Sequence, residues 1–130
     1  MNRKALLVSI LIAAALIVGA IFLAAPRAAS DSGDGKNVRV EGGTQIITIT
    51  AKGGYSPKVT TAKAGMPTVI HMDTRGTFDC SSAVVIPSLS YRGNLPPSGE
   101  TSIDVPPQQA GSTMRGLCAM GMYNFSINFN

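Results

Sequence analysis

Residues 124–129 (Asn-Phe-Ser-Ile-Asn-Phe) decide the fold of this chain, because hydrophobic and polar side chains alternate there without interruption. In an extended strand, successive side chains point to opposite faces. Phe125, Ile127 and Phe129 therefore share one face, and the asparagine and serine side chains share the other. This period of two predicts a β-strand that packs one face into a core and presents the other to water.

The same alternation recurs earlier in the chain, in segments that are separated by glycine or proline. Three further segments show it, at residues 45–50, 68–73 and 102–105. Between them lie pairs such as Gly53-Gly54 and Pro96-Pro97, which are typical of turns. Several short strands at this spacing predict an all-β sandwich over residues 44–130.

The amino-terminal residues differ in composition from the rest of the chain. Residues 5–25 are uncharged and mostly aliphatic, and Arg3 and Lys4 precede them. At 1.5 Å per residue, a helix of this length spans roughly 30 Å, which matches the hydrocarbon core of a bilayer. We therefore predict a short basic terminus at 1–4 and a transmembrane helix at 5–25, with a cleaved signal peptide as the alternative.

The segment between this helix and the β-domain has the composition of a linker. Residues 26–43 are rich in alanine, serine, aspartate and glycine, which is typical of a flexible connection. The basic amino terminus favours a cytoplasmic start for a single-pass anchor. The β-domain is then expected on the extracytoplasmic face of a cell membrane.

Charge and composition exclude several classes of function. The net charge is +4, but the basic residues form no run and alternate with no aromatic side chains, so nucleic-acid binding is not expected. His71, the sole histidine, lies in a predicted strand on the face opposite Ile70 and Met72, so we expect it to point to solvent. No catalytic triad, carboxylate pair or phosphate-binding glycine loop is found, and the protein is not expected to be an enzyme.

The two cysteines, Cys80 and Cys118, each follow a predicted strand and are expected in loops at one end of the sandwich. Cys118 begins the sequence Cys-Ala-Met-Gly-Met-Tyr. In an extended loop, residues 118, 120 and 122 project to the same side, and Gly121 permits a bend that lets the sulfurs converge. Such soft donors select Cu(I) over Zn(II), Mg(II) or Ca(II). The pattern predicts a Cu(I) site made of Cys80, Cys118, Met120 and Met122.

A structural disulfide between Cys80 and Cys118 is the alternative interpretation. Two cysteines in an exported domain commonly pair, and closing a loop of this length stabilises a domain by about 4 kcal/mol in the chain-entropy model. A disulfide does not account for two methionines beside Cys118. Both interpretations can hold, because the same thiols can oxidise when metal is absent.

Four short motifs follow one another along the predicted β-domain. They are residues 55–57 (Tyr-Ser-Pro), 64–67 (Ala-Gly-Met-Pro), 80–87 (Cys-Ser-Ser-Ala-Val-Val-Ile-Pro) and 118–123 (Cys-Ala-Met-Gly-Met-Tyr). Their content and order resemble the cupredoxin-like domains of bacterial copper handling, and most of all the membrane-anchored Cu(I) chaperones of the CupA type. The resemblance covers nearly all of residues 44–130 and implies a Greek-key β-sandwich in a protein of the bacterial cell membrane.

The resemblance also implies a function. It implies a tight Cu(I) site at the two cysteines, with Met120 and Met122 supporting it or forming a weaker second site. It further implies buffering or hand-off of copper, in copper homeostasis or resistance, to a copper-transporting P-type ATPase or another copper acceptor. Blue-copper members carry a histidine at the position of Cys80 and another between the copper cysteine and the methionine, and this chain has neither. Electron transfer is therefore the less favoured function.

Two positions depart from the pattern of the resembled domains. Gly116 stands where an aromatic residue is usual, and Ala83 stands where a larger residue is common.

Overall fold

The computed structural model describes residues 2–24, with side chains through Ile17, and residues 35–130. The chain divides into two compact units, Met1–Ser30 and Asp31–Asn130. The first contains helix α1 (Arg3–Ala24). Most of the predicted linker, residues 26–34, lies outside the described residues.

Helix α1 covers nearly all of the uncharged segment 5–25. Within the described residues, no helix is both long and apolar enough to cross a bilayer. The transmembrane part of the prediction is therefore not supported. The extracytoplasmic location stays a prediction from the sequence.

The second unit is built from strands. Those described in residues 35–130 are β1 (Val38–Glu41), β2 (Thr44–Ala51), β3 (Tyr55–Ser56), β4 (Val59–Ala62), β5 (Thr68–Thr74), β6 (Ala83–Ile86), β7 (Tyr91–Asn94), β8 (Gly99–Val105), β9 (Thr113–Cys118) and β10 (Asn124–Phe129). Two short 3-10 helices, Cys80–Ser82 and Pro87–Leu89, flank β6.

The strands form two sheets that pack face to face. One sheet has the order β1-β2-β5-β8, with β3 paired to β2, and the other has the order β4-β10-β9-β6-β7. The pairs β2–β5 and β4–β10 are parallel, and the remaining pairs are antiparallel. This arrangement confirms the predicted β-sandwich.

The core lies between the two sheets and is supplied by one face of each long strand. Strand β10 buries Phe125, Ile127 and Phe129, as its alternating pattern predicts. Strand β5 buries Ile70 and Met72 in the same cluster. These side chains are removed from water, and each large one stabilises the fold by about 1.5–3 kcal/mol.

The sandwich begins earlier than the sequence indicates. Residues 38–43, which we predicted as part of the linker, form β1 and the turn that leads to β2, with Val38 opposite Ile47 in register. The prediction was wrong at this boundary because β1 is an edge strand whose residues are mostly exposed. Such a strand lacks a buried face and therefore shows little hydrophobic alternation.

Candidate metal centre

The pairing of β6 with β9 brings the two cysteines together. Val84 lies opposite Cys118, the last residue of β9. Cys80 begins the 3-10 helix that leads directly into β6. The two Sγ atoms lie 2.6 Å apart, and both cysteines are free thiols. Cys118 is fully buried, whereas Cys80 is half-buried, so the pair forms the floor of a site that opens on the Cys80 side.

Asp79 positions Cys80 by capping the 3-10 helix. Its carboxylate accepts a hydrogen bond from the Ser81 N–H at 2.8 Å and another from the Ser81 hydroxyl. The second oxygen accepts from the Gly53 N–H at 2.8 Å, in the turn after β2. These donors lower the pKa of Asp79 below the usual carboxyl range, the Ser81 hydroxyl contributing most. The carboxylate thus ties the Cys80 segment to the turn of the opposite sheet.

Tyr55 supports the same segment from inside the core. Its hydroxyl donates to the backbone carbonyl of Ser81 at 3.1 Å, and its ring meets that of Phe125 edge-on, with the centroids 5.0 Å apart. Burial raises the pKa of Tyr55, and the nearby Cys118, Cys80 and Asp79 raise it further. Tyr55 therefore stays a neutral hydrogen-bond donor beneath the cysteines.

A hydrogen-bonded turn follows Cys118. The Gly121 N–H donates to the Cys118 carbonyl at 2.8 Å, and Gly121 has a φ of 71°, which glycine adopts without steric cost. The Cys118 N–H and the Tyr123 carbonyl close the same loop at 3.0 Å. The extended loop that we expected at residues 118–122 is instead a turn.

The turn surrounds the Cys118 sulfur with backbone donors. The Tyr123 N–H lies 3.4 Å from Sγ. Burial raises the pKa of Cys118, but hydrogen bonds from the Cys80 thiol and from the N–H groups of Tyr123, Met122 and Met120 lower it by more, so its pKa falls below the usual thiol range. Cys118 is therefore the more acidic thiol of the pair, and the thiolate is the form that acts as metal ligand.

Cys80 is the hydrogen-bond donor of the pair, and Cys118 is the acceptor. The hydrogen bond to Cys118 raises the pKa of Cys80, and the N–H of Met120 opposes that rise. The negative charges of Cys118 and Asp79 also raise it. A soft cation that entered here would meet two sulfur donors at one point.

Met120 and Met122 lie on the turn with their side chains in solvent, 79% and 65% exposed. The structure thus brings Cys80 and Cys118 together and leaves the two thioethers exposed beside them. Among the described residues, no three His, Cys, Asp or Glu side chains cluster as a metal site. The donors available at this end are the two thiols and the neighbouring thioethers.

His71 is in the other sheet, on β5, with Thr48 and Ser102 as its register neighbours. Its side chain is 17% exposed, and Nδ1 lies 3.0 Å from Oε1 of Glu100 without forming a hydrogen bond. His71 lies on the face of β5 opposite the buried Ile70 and Met72, as predicted. It is only partly exposed to solvent there, because Glu100 on β8 lies beside the ring.

A family model described as a cupredoxin-like domain matches residues 12–126. The chain belongs to the cupredoxin-like domain family. No curated protein gives a significant match.

Solved structures share the fold of this cupredoxin-like domain. One is a copper-binding protein determined by NMR in its apo form, with 26% sequence identity and a TM-score of 0.66; the match covers 74% of this chain and 97% of that one. Another is the Cu(I)-bound metal-binding domain of the Cu(I)-exporting P-type ATPase CopA of Streptococcus pneumoniae D39. It has 23% identity and a TM-score of 0.63, and the match covers 72% of this chain and 92% of that one.

Two residues that position the site of this cupredoxin-like domain escaped the sequence analysis. Asp79 stands immediately before Cys80, and an aspartate before a serine-rich turn is a recognisable capping signal. Tyr55 was noted only within a motif, because nothing local indicates which backbone carbonyl its hydroxyl will reach.

Proposed function

We propose that this cupredoxin-like domain binds Cu(I) at Cys80 and Cys118 and buffers it or hands it to another protein. The observation that carries the proposal is the thiol pair, with 2.6 Å between the sulfurs. A buried cysteine and an adjacent half-buried one provide two soft donors with a route to solvent. Soft sulfur donors favour Cu(I) over harder divalent ions.

Met120 and Met122 are proposed as auxiliary ligands. They sit on the turn whose N–H groups contact the Cys118 sulfur, and their exposure leaves them free to move. An uncharged thioether is a weaker donor than a thiolate. We therefore assign the two methionines a supporting role or a second, weaker Cu(I) site.

The comparisons support copper as the bound metal. A structure with 26% identity and nearly full coverage is that of a copper-binding protein. A domain with the same fold belongs to a Cu(I)-exporting P-type ATPase. We propose a copper-transporting ATPase or another copper acceptor as the recipient, in copper homeostasis or resistance.

Buffering or hand-off fits the ligands better than electron transfer does. A blue-copper centre uses two histidines and one cysteine with a weak axial ligand. The sole histidine of this chain is on β5, in the sheet opposite the cysteine strands. Two thiols would also reduce two Cu(II) ions to Cu(I), since their oxidation to a disulfide releases two electrons and two protons. Because this ligand set suits the retention of Cu(I) rather than redox cycling, we also propose that the protein is not an enzyme.

Competition with a Cu(I)-specific chelator tests the proposal. The reduced full chain should retain Cu(I) against the chelator, and the double variant Cys80→Ser/Cys118→Ser should lose it. Met120→Leu and Met122→Leu should weaken retention far less, because each removes only an uncharged donor. If the double serine variant retained Cu(I) as well as the parent, the site would be elsewhere.

A melting experiment separates this function from that of a disulfide-closed interaction domain. Cu(I) should raise the melting temperature of the reduced chain, because a ligand that binds only the native state stabilises it. Reduction alone should cost little stability. A chain that lost its fold on reduction and did not respond to Cu(I) would belong to the disulfide class.

A further inference from the structure

Five large apolar side chains are exposed in residues 35–130. They are Val40, Val59, Phe78, Met120 and Met122. Three of them border the cysteines in sequence: Phe78 lies two residues before Cys80, and the methionines follow Cys118. Phe78 is 83% exposed, whereas Phe125 and Phe129 are fully buried in the core. Its exposure therefore has no explanation in core packing.

The backbone holds Phe78 beside the metal-site turns. The next residue, Asp79, binds the Gly53 N–H and caps the Cys80 helix. Met122, Lys52 and Lys58 are among the residues that line one surface depression. Phe78, Met120 and Met122 therefore all lie on the segments that lead into or out of the two cysteines.

Two lysines lie at this end of the sandwich. Lys52 and Lys58 are exposed, and neither forms an ion pair within the described residues. The neighbouring acidic groups have partners: Asp79 accepts hydrogen bonds from Gly53 and Ser81, and Asp73 pairs with Arg75 at 3.1 Å. Two unpaired ammonium groups therefore flank the apolar side chains.

We infer that Phe78, Met120, Met122, Lys52 and Lys58 form a docking face for an acidic copper-exchange partner. The partner is a protein whose own sulfur site is surrounded by carboxylates. Exposed apolar groups beside a functional site mark interaction surfaces, and phenylalanine and methionine are enriched in interface cores. This inference rests on the proposed Cu(I) function and identifies the chemistry of the protein that receives or supplies the ion.

Charge complementarity favours an acidic protein partner over two alternatives, which are a second copy of this chain and an anionic membrane. A second copy of the chain would place Lys52 and Lys58 against the same lysines, and like charges across an interface oppose binding. An anionic membrane would also attract the lysines, but it offers no sulfur ligand to a copper ion at the centre of the face. In the exchange, Cu(I)–sulfur bonds to the partner form as those to Cys80 and Cys118 break. Copper stays Cu(I), and the protons released by the incoming thiols go to the cysteines that are freed.

Transfer from the Cu(I)-loaded full chain to two synthetic peptides tests the docking face. Both peptides carry a pair of cysteines, flanked by glutamates in one and by lysines in the other. We expect faster transfer to the glutamate peptide at low salt, and a smaller difference at high salt as screening increases. Lys52→Glu/Lys58→Glu should slow transfer to the glutamate peptide on the order of tenfold, because electrostatic steering changes association rates by that much or more.

Matched variants show whether the effect belongs to this face. Arg92→Glu changes an exposed charge on edge strand β7 and should leave the rate unchanged. Phe78→Ser should slow transfer severalfold. Val40→Ser, which removes a half-exposed apolar side chain on β1, should not. Equal rates with the two peptides, or equal effects of the face and control variants, would overturn the inference.

Two further measurements distinguish a failure of the docking face from a failure of the proposed Cu(I) function. Every variant should retain Cu(I) against the chelator as the parent does, because none of these substitutions removes a proposed ligand. A parent chain that fails to retain Cu(I) refutes the proposed function. If Cu(I) is retained normally but the transfer rate depends neither on the peptide charge nor on the face variants, only the docking face is refuted. If the lysine variants lost binding to vesicles of anionic lipid and transferred copper normally, the face would serve a membrane and the inference would be wrong.

Discussion

The ring of Phe125 covers Gly116 on the neighbouring strand β9, in direct register with it. A Cβ atom on Gly116 would overlap this ring. The same ring packs edge-on against Tyr55, which holds the Ser81 carbonyl beside Cys80. Glycine at position 116, where resembled domains carry an aromatic residue, is therefore compensated by an aromatic ring from the adjacent strand.

We predict that Gly116→Ala lowers the free energy of unfolding by about 1–3 kcal/mol, the usual cost of overfilling a packed core. Thermal or urea unfolding of the reduced chain measures it. Arg115→Ala, which changes an exposed neighbour on the same strand, serves as the control and should stay near the parent. Equal stability of the two variants would mean that the Phe125 ring has room to move aside.

A second prediction concerns Asp79, which contacts no copper ligand through its side chain but holds the Cys80 turn. Asp79→Ala should lower both the melting temperature and the affinity for Cu(I), because the capping bonds to Ser81 and Gly53 are lost. Asp79→Ser keeps a capping acceptor and should recover part of both. If Asp79→Ala melted and bound Cu(I) like the parent, the cap would be dispensable.

The contribution of Asp79 should also depend on pH. Its pKa in the folded chain lies below the usual carboxyl value, so the native state favours the ionised form. The stabilisation is complete above the pKa of the unfolded chain and is lost as pH falls through the lower native pKa. The difference in melting temperature between the parent and Asp79→Ala should therefore narrow in acid. A constant difference would contradict this assignment.

The two thiols should titrate in two separate steps in the reduced, metal-free chain. The first proton should leave below the usual thiol range and the second above it, since the hydrogen bond lowers the pKa of Cys118 and raises that of Cys80. The two values belong to the pair as a unit. Ultraviolet absorbance of the thiolate follows the titration. Cys80→Ala should leave one step at a higher pH than the first step of the parent, because Cys118 loses a donor.

The copper-loaded protein should be colourless. Cu(II) added to the reduced chain should give no lasting visible band, because two adjacent thiols reduce the ion and no histidine lies on the cysteine strands. His71→Ala should leave Cu(I) affinity unchanged, since His71 sits beside Glu100 on the opposite sheet. A stable blue form whose colour disappeared in His71→Ala would restore the electron-transfer function.

Local alternation was sufficient to predict the long strands. The predicted segments at residues 45–50, 68–73, 102–105 and 124–129 all fall within β2, β5, β8 and β10. Each of these strands buries one face against the core, so its hydrophobic period follows directly from its structure. The other six strands, β1, β3, β4, β6, β7 and β9, were not predicted from the sequence. Among them, β1, β3 and β7 are short or edge strands with little such periodicity.

The choice of residue types for the site also followed from the sequence. Two cysteines, two methionines beside one of them, and a lone histidine within a strand limit the chemistry to soft sulfur donors. The tertiary structure decided what no local pattern contains, namely that Asp79 joins the Cys80 turn to Gly53 and that Phe125 fills the space over Gly116. It also decided that the thioethers stay exposed while the thiols meet. These relationships join residues far apart in the chain, and sheet pairing alone brings them within contact distance.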